Sequence, residues 1–376
     1  MNLTDGFHMV KSYDVGSLPF FGDMEKFSKD AEHFLSHSGD GLTRYFEETV
    51  VTSFIDKVKT DIDIPNYPQF RDMNKMFFKM INGVEQSKTG YTQTNVLSVN
   101  TEKSQIPEIV AIKKNSEKIY ERIRTPYEAK ICVTGPYTLS SFLAYRTSET
   151  FTNLGNVISQ IIENNVFSEK YGKISLVTID EPIFGLSDDS LVEYGSDGRE
   201  HLKKAWESIF QKVVSKGAQT CLHLHSTADR LFWEIEALNI VESHVDDPLY
   251  QMKKTKEFLE ATDKFLKASI CVVDFDKLIR ENVISACQQK LDELAVNQRV
   301  AETWKRILNK QLKPEIFLED VELMRERLIK IVDQFGAERV LYVGPECGLK
   351  GFPTYECALE CLRRVSEAVK MYREKV

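Results

Sequence analysis

With 376 residues, 42% hydrophobic and 28% charged, the chain has the balance of a soluble globular protein with material for a sizeable core. A formal net charge of −8 argues against nucleic acid as the main partner. No apolar run reaches the roughly 18 residues that would cross a bilayer, so no membrane association is expected. The N-terminal stretch MNLTDGFHMVKSYDVG lacks the charged-then-apolar order of a signal peptide. Seven cysteines without regular spacing suit free thiols in a reducing compartment. Together these predict a cytoplasmic location.

Eight short apolar runs read as strands, at 12–16, 94–99, 129–135, 174–180, 219–225, 239–245, 269–274 and 339–344. Helical patterns lie between most of them, as at 104–122, 151–171, 199–215, 228–238 and 318–335. The first crossover is long and helical over 24–84, broken by Pro65 and Pro68, and a second helical insertion spans 281–330. Alternating strands and helices predict an α/β protein. The specific expectation is one (β/α)8 TIM barrel over 1–376, with helical insertions after the first and seventh strands. Cys132, Cys221 and Cys271 fall inside strand runs and are expected in the core. Cys357 and Cys361, four apart, share the buried face of a late helix.

In such a barrel the chemistry sits at the carboxyl ends of the strands. Three sets of potential metal ligands fall there: His223 and His225 in CLHLHS, Asp246 in SHVDDP, and Cys347 in GPECGLK. A lone histidine at a strand end is readily a core residue. A His-x-His pair on one strand face, followed by an acid after the next strand, is better explained as a four-ligand zinc site. His244 and Asp247 are reserve candidates. Val15, Gly16 and Ser17 end the first strand, where a close backbone approach and a hydroxyl suit a substrate carboxylate. Asp180 lies just before Pro182, placed to hold an ammonium group, with Glu181 beside it as a catalytic candidate.

Segments spread through the chain resemble the catalytic barrel of cobalamin-independent methionine synthase: VGSLPF (15–20), VTGPYTLS (133–140), VTIDEP (177–182), HLH (223–225) and GPECGLK (344–350). The likeness is to the short, single-barrel form. It implies zinc ligation by His223 and Cys347, with Asp246 standing where the family has Glu and His225 where it has a second Cys. It also implies that the first strand end, with Ser17, holds an amino-acid carboxylate and that Asp180 holds the amine. Tyr67 and Gln69 occupy the place of an acidic, amine-binding segment. Asp276 replaces a histidine that assists proton movement, and stands as a second catalytic candidate.

The implied activity is zinc-dependent methyl transfer to a small thiol, with homocysteine as acceptor and a methyl-corrinoid protein or methyl-tetrahydropterin as donor. A free thiol with a pKa near about 8.5 is mostly protonated at neutral pH, and zinc coordination removes that proton. Replacing a Cys ligand by His225 lowers the ligand charge, which leaves open another acceptor thiol, such as coenzyme M. A metal-free, ligand-binding descendant is the third reading. No Gly-rich phosphate loop with its lysine follows any strand, which excludes a P-loop nucleotide enzyme.

Overall fold

The computed structural model describes residues 9–37, 41–88, 90–287 and 292–375. Residues 1–8 of the N-terminal stretch, and 38–40 and 288–291 of the two expected helical insertions, lie outside the described residues.

Among the described residues, seven strands form one wholly parallel, curled sheet. They are β1 (Lys11–Ser12), β4 (Tyr127–Thr134), β5 (Gly172–Glu181), β6 (Gln219–Leu224), β7 (Ile240–Glu242), β8 (Phe265–Cys271) and β9 (Val340–Pro345), in the order β1-β9-β8-β7-β6-β5-β4. β4 to β9 are buried along most of their length, as parallel strands covered on both faces must be. Long amphipathic helices cover the outside, among them Ser148–Asn165, Asp197–Ser215, Val321–Phe335 and Tyr355–Arg373. Inside, Tyr13, Ile64, Leu176, Cys221, Ile240 and Tyr342 pack as a separate cluster. Cys132, Cys271, Cys357 and Cys361 are also buried.

The expected second barrel strand, 94–99, is not in this sheet. It is the end of β3 (Tyr91–Val99), which pairs antiparallel with β2 (Ile81–Gln86) in a separate two-stranded ribbon. The physical reason is its polarity: Thr92, Gln93, Thr94 and Asn95 are all exposed, and a strand enclosed on both faces has no room for them. Residues 64–69 instead make parallel bridges toward both edges of the sheet, Tyr13 to Ile64 and Ser17 to Gln69 on one side and Asn66 to Lys130 on the other. Pro65 and Pro68 have no N–H to give a ladder, so this stretch carries bridges rather than a regular strand. A buried ion pair fixes it, with Lys57 Nζ 2.6 Å from Asp14 Oδ2 and donating also to the carbonyls of Gly16 (2.7 Å) and Asn66 (3.2 Å).

The first insertion contains helices Met24–His37, Arg44–Val58 and Met73–Phe78, followed by β2. The second contains Phe275–Ser285, Glu293–Leu308 and a short 3-10 turn before Val321–Phe335. The pattern at 228–238 yields only a 3-10 turn at Leu231–Glu234. Among the described residues no helix is long and apolar enough to cross a membrane.

Candidate metal centre

Parallel register sets one level across the strands. Thr134 aligns with Asp180, Asp180 with His223, and His223 with Glu242. Because side chains alternate along a strand, Asp180, His223 and Glu242 face the interior while Glu181 and Leu224 face the helices. His225 and His244 follow just beyond β6 and β7, and Cys347 just beyond β9. His223, His225, His244 and Cys347 each offer a ligand atom, all within 4.8 Å of one another. The ring centroids of His225 and His244 are 4.2 Å apart, and those of His223 and His225 are 5.3 Å apart.

The fit to a metal rests on these donors themselves. Nε2 of His223 and Nε2 of His244 are buried without a hydrogen-bond partner among the described residues. Buried polar atoms are rarely left so unless something else satisfies them. Cys347 Sγ lies 3.6 Å from His225 Nε2, matching the edge of about 3.6 Å between sulfur and nitrogen in a tetrahedral zinc site. Burial alone would raise the Cys347 thiol, but the imidazoles of His223, His225 and His244 around it outweigh burial and hold the pKa well below its ordinary value. His223 shows the converse: burial would lower it, yet the Glu242 carboxylate and the neighbouring thiolate raise its pKa to about 10. Three nitrogens and one thiolate are donors that suit zinc.

Two acids brace the loops that carry these ligands. Glu346 accepts from Val245 N (2.9 Å) and Val273 N (3.0 Å), tying the ends of β7 and β8 to the loop that bears Cys347. Asp247 accepts from Thr227 N (3.0 Å) and Leu249 N (2.8 Å), so it caps the next helix and holds the loop after His225. A cleft of about 620 Å³ opens over His225, His244 and Cys347.

The structure brings together three of the four sequence-derived metal candidates and places the fourth apart. Asp246 lies on the wall of the same cleft, but its side chain is 75% exposed and pairs with Lys277 Nζ at 3.0 Å. His244 stands in the cluster instead. The chain turns immediately after β7, with Asp247 N donating to His244 O, so Asp246 points to the rim. Glu181 is buried on the helix side of β5, accepting from Tyr137 N (2.9 Å), Thr138 N (2.6 Å) and Trp206 Nε1 (2.9 Å). Burial raises its pKa to about 7 in spite of these donors. Its geometry is that of a brace for the helix Pro136–Ser141, on the side of β5 away from the cluster. Asp276 is exposed on the helix Phe275–Ser285 and accepts from Trp304 Nε1 at 3.0 Å, which also takes it out of the cluster.

At the other rim Val15 is buried, its carbonyl accepting from Asn66 Nδ2. Gly16 has φ +142°, and a Cβ there would collide with Asn66 and Gln69. Ser17 is half-buried, and its Oγ lies where a side chain on Gly348 would fall, so this glycine lets the Ser17 and Cys347 loops meet. Asp180 Oδ1 lies 3.8 Å from His223 Nε2, has no hydrogen-bond partner among the described residues, and its pKa is raised by burial. Tyr67 and Gln69 both donate to Cys132 O, at 3.2 and 3.4 Å. Sequence reasoning passed over Glu242, which lies 3.0 Å from His223 Nδ1. The signal was present, since Glu242 and His244 alternate on the same face of VESHV.

Solved structures share the fold. A B12-independent methionine synthase from Shewanella sp. W3-18-1, in complex with selenomethionine, is 14% identical with a TM-score of 0.62 over 98% of each chain. A protein from Listeria monocytogenes, assigned provisionally as a vitamin-B12-independent methionine synthase, is 16% identical with a TM-score of 0.54 over 96% of this chain and 98% of that one. At such identities the likeness is one of fold. No family model and no curated protein matches the chain.

Proposed function

We propose that this chain is a zinc-dependent thiol methyltransferase built on one (β/α)8 barrel, in which residues 64–69 take the place of the second strand. The observation that carries the reading is the convergence of His223, His225, His244 and Cys347 at the carboxyl ends of parallel strands. The fold shared with two proteins described as methionine synthases supports it, as do the segments that resemble that family.

Zinc held by these four residues would supply the positive charge that keeps an acceptor thiol deprotonated at neutral pH. Cys347 reaches the site already as a thiolate, because three imidazoles surround it. With one ionised ligand the set carries a charge of about −1 by simple counting, so an incoming thiolate is strongly attracted. Asp180, a carboxylate facing the cluster whose Oδ1 has no hydrogen-bond partner among the described residues, holds the acceptor's amine, and Ser17 with its backbone holds the carboxylate. These two anchors select an amino-acid thiol, and we assign homocysteine. The methyl donor enters from the cleft over His244 and Cys347, and is a methyl-corrinoid protein or a methyl-tetrahydropterin.

The test is zinc content together with methyl transfer. Purified protein should hold about one zinc per chain. It should methylate homocysteine from methylcobalamin or methyl-tetrahydropterin, with coenzyme M tried as a competing acceptor. Protein that takes up no zinc overturns the reading, and preference for coenzyme M over homocysteine moves the acceptor.

A further inference from the structure

Beside the mouth of the barrel, across the loop that carries Cys347, runs a groove that the proposed reaction does not use. Two cavities of about 630 and 200 Å³ share Glu32, Arg71, Met76 and Lys79, and so form one groove. Its near end is lined by Leu18, next to Ser17, and by Lys350, on the loop just past Cys347. Its far end is lined by Lys103 and Gln105. We propose that this groove is a docking site for an extended, acidic segment of a partner protein that carries an aromatic anchor.

Length argues for a chain as occupant. Met24, Ser28, Glu32 and Leu35 line the groove and fall on one face of the helix Met24–His37. At ~1.5 Å per residue the groove follows that helix for about 16 Å. An extended segment of about five residues covers that distance.

Charge argues for an acidic one. Arg71, Lys75, Lys79, Lys103 and Lys350 line the groove against the carboxylates of Glu32 and Asp72, in a chain whose net charge is −8. Both carboxylates are engaged: Glu32 accepts from Lys79, and Asp72 caps the helix Met73–Phe78 by accepting from Lys75 N at 3.0 Å. Arg71 is held by Glu108, at 2.7 and 2.6 Å. Lys75, Lys103 and Lys350 are exposed and form no ion pair among the described residues. Unpaired ammonium groups spaced along one groove attract carboxylates spaced along one chain. The floor at the near end is apolar. Phe20 packs edge-on against Phe70 with ring centroids 5.0 Å apart, and Met24, Met76 and Phe352 complete it. Phe21 stands 64% exposed at its rim. Phenylalanine and methionine side chains open to solvent suit an aromatic anchor.

A partner held here lies against the mouth, where a protein presenting the methyl group has to stand. The docking itself needs neither metal nor methyl donor, so it stands or falls apart from the methyltransferase reading.

The probe is a short fluorescein-labelled peptide of glutamates around two phenylalanines, titrated by fluorescence anisotropy into the full chain with and without zinc. The same peptide with glutamine for glutamate is the charge control, and p-aminobenzoylglutamate, a small aryl dicarboxylate, is an unlabelled competitor. The expected result is saturable binding of the acidic peptide, equal with and without zinc, that weakens as salt rises from about 50 to about 300 mM. Lys75→Glu together with Lys350→Glu should weaken it about tenfold or more, and Phe21→Ala about fivefold. All three side chains are exposed, so both variants should melt with the wild type. Failure of the acidic peptide to bind overturns the proposal, as does equal binding of the glutamine peptide or by either variant. Displacement by p-aminobenzoylglutamate at concentrations no higher than those of unlabelled peptide overturns it in favour of a small anion. Protein that binds the peptide but takes up no zinc overturns the methyltransferase reading alone and leaves the docking site in place.

Discussion

Cys347→Ser is the most informative single perturbation of the candidate centre. The variant is nearly isosteric, but a serine hydroxyl stays protonated at neutral pH, whereas the Cys347 thiol is held ionised by His223, His225 and His244 against its own burial. Zinc held by protein ligands binds with an apparent ~10–16 kcal/mol, so one ligand in four accounts for about 3 kcal/mol. Its loss weakens affinity by a factor of about 10². At free zinc a hundredfold above Kd, the wild type gains about 2.7 kcal/mol of stability from the metal, while the variant, now near its own Kd, gains about 0.4 kcal/mol. Taking about 2 °C per kcal/mol for a chain this long, the zinc-dependent rise in melting temperature should shrink by about 5 °C. The assay is differential scanning fluorimetry with and without zinc, at matched free metal. Cys347 is half-buried at a cleft wall, so the metal-free melting temperatures should be close. A variant whose zinc-dependent shift equals that of the wild type would refute the placement of Cys347 as a ligand.

Three more outcomes are expected. Asp180→Asn should raise the apparent KM for an amino-acid thiol more than for a thiol lacking the amine; steady-state kinetics on both acceptors check it, and equal effects leave Asp180 a structural role. Glu181 has a folded pKa of about 7 against 4.5, so the folded state binds its proton more tightly. The resulting stability is full below about pH 4.5 and falls by about 3 kcal/mol as pH rises to about 7. Urea unfolding across that window should show the decline in wild type and its absence in Glu181→Gln. Lys57→Met leaves Asp14 buried without its ammonium and should cost about 3–5 kcal/mol, read as a lower urea midpoint, with an unchanged midpoint counting against the pair as the anchor of residues 64–69.

Much of the architecture was legible because buried parallel strands are continuous apolar runs, and seven of the eight runs fall on strands of the main sheet. The exception shows what periodicity leaves out. The apolar residues Val96, Leu97 and Val99 suggest a strand, and one exists, but Thr92 to Asn95 are exposed and the element lies in an outlying ribbon. The stretch beside β1 hides behind Pro65 and Pro68, which read as breakers because no ladder hydrogen bond can start from them. Within the site, alternation on one strand made His223 readable. Beyond a strand end alternation no longer holds, and a turn decides instead which residue faces inward. That turn puts His244 in the cluster and Asp246 at the rim beside Lys277.

The interior charges of this protein are better understood as organisation than as stability. A buried ion pair recovers little beyond its own desolvation, and hydrophobic replacements of equal volume are often as stable. Yet Asp14 with Lys57, and Glu242 with Lys267, are almost wholly enclosed. Lys130 Nζ, also fully buried, has no hydrogen-bond partner among the described residues and sits 4.3 Å from the centre of the Tyr13 ring. A core selected only for stability would have little use for three enclosed ammonium groups. Their placement follows the site: Lys57 fixes the segment that meets Ser17, Lys267 backs Glu242, and Lys130 braces the tyrosine whose hydroxyl reaches that same carboxylate. Each fixes the position of something at the carboxyl mouth, where a candidate metal centre drawing its donors from three strand ends would tolerate little displacement.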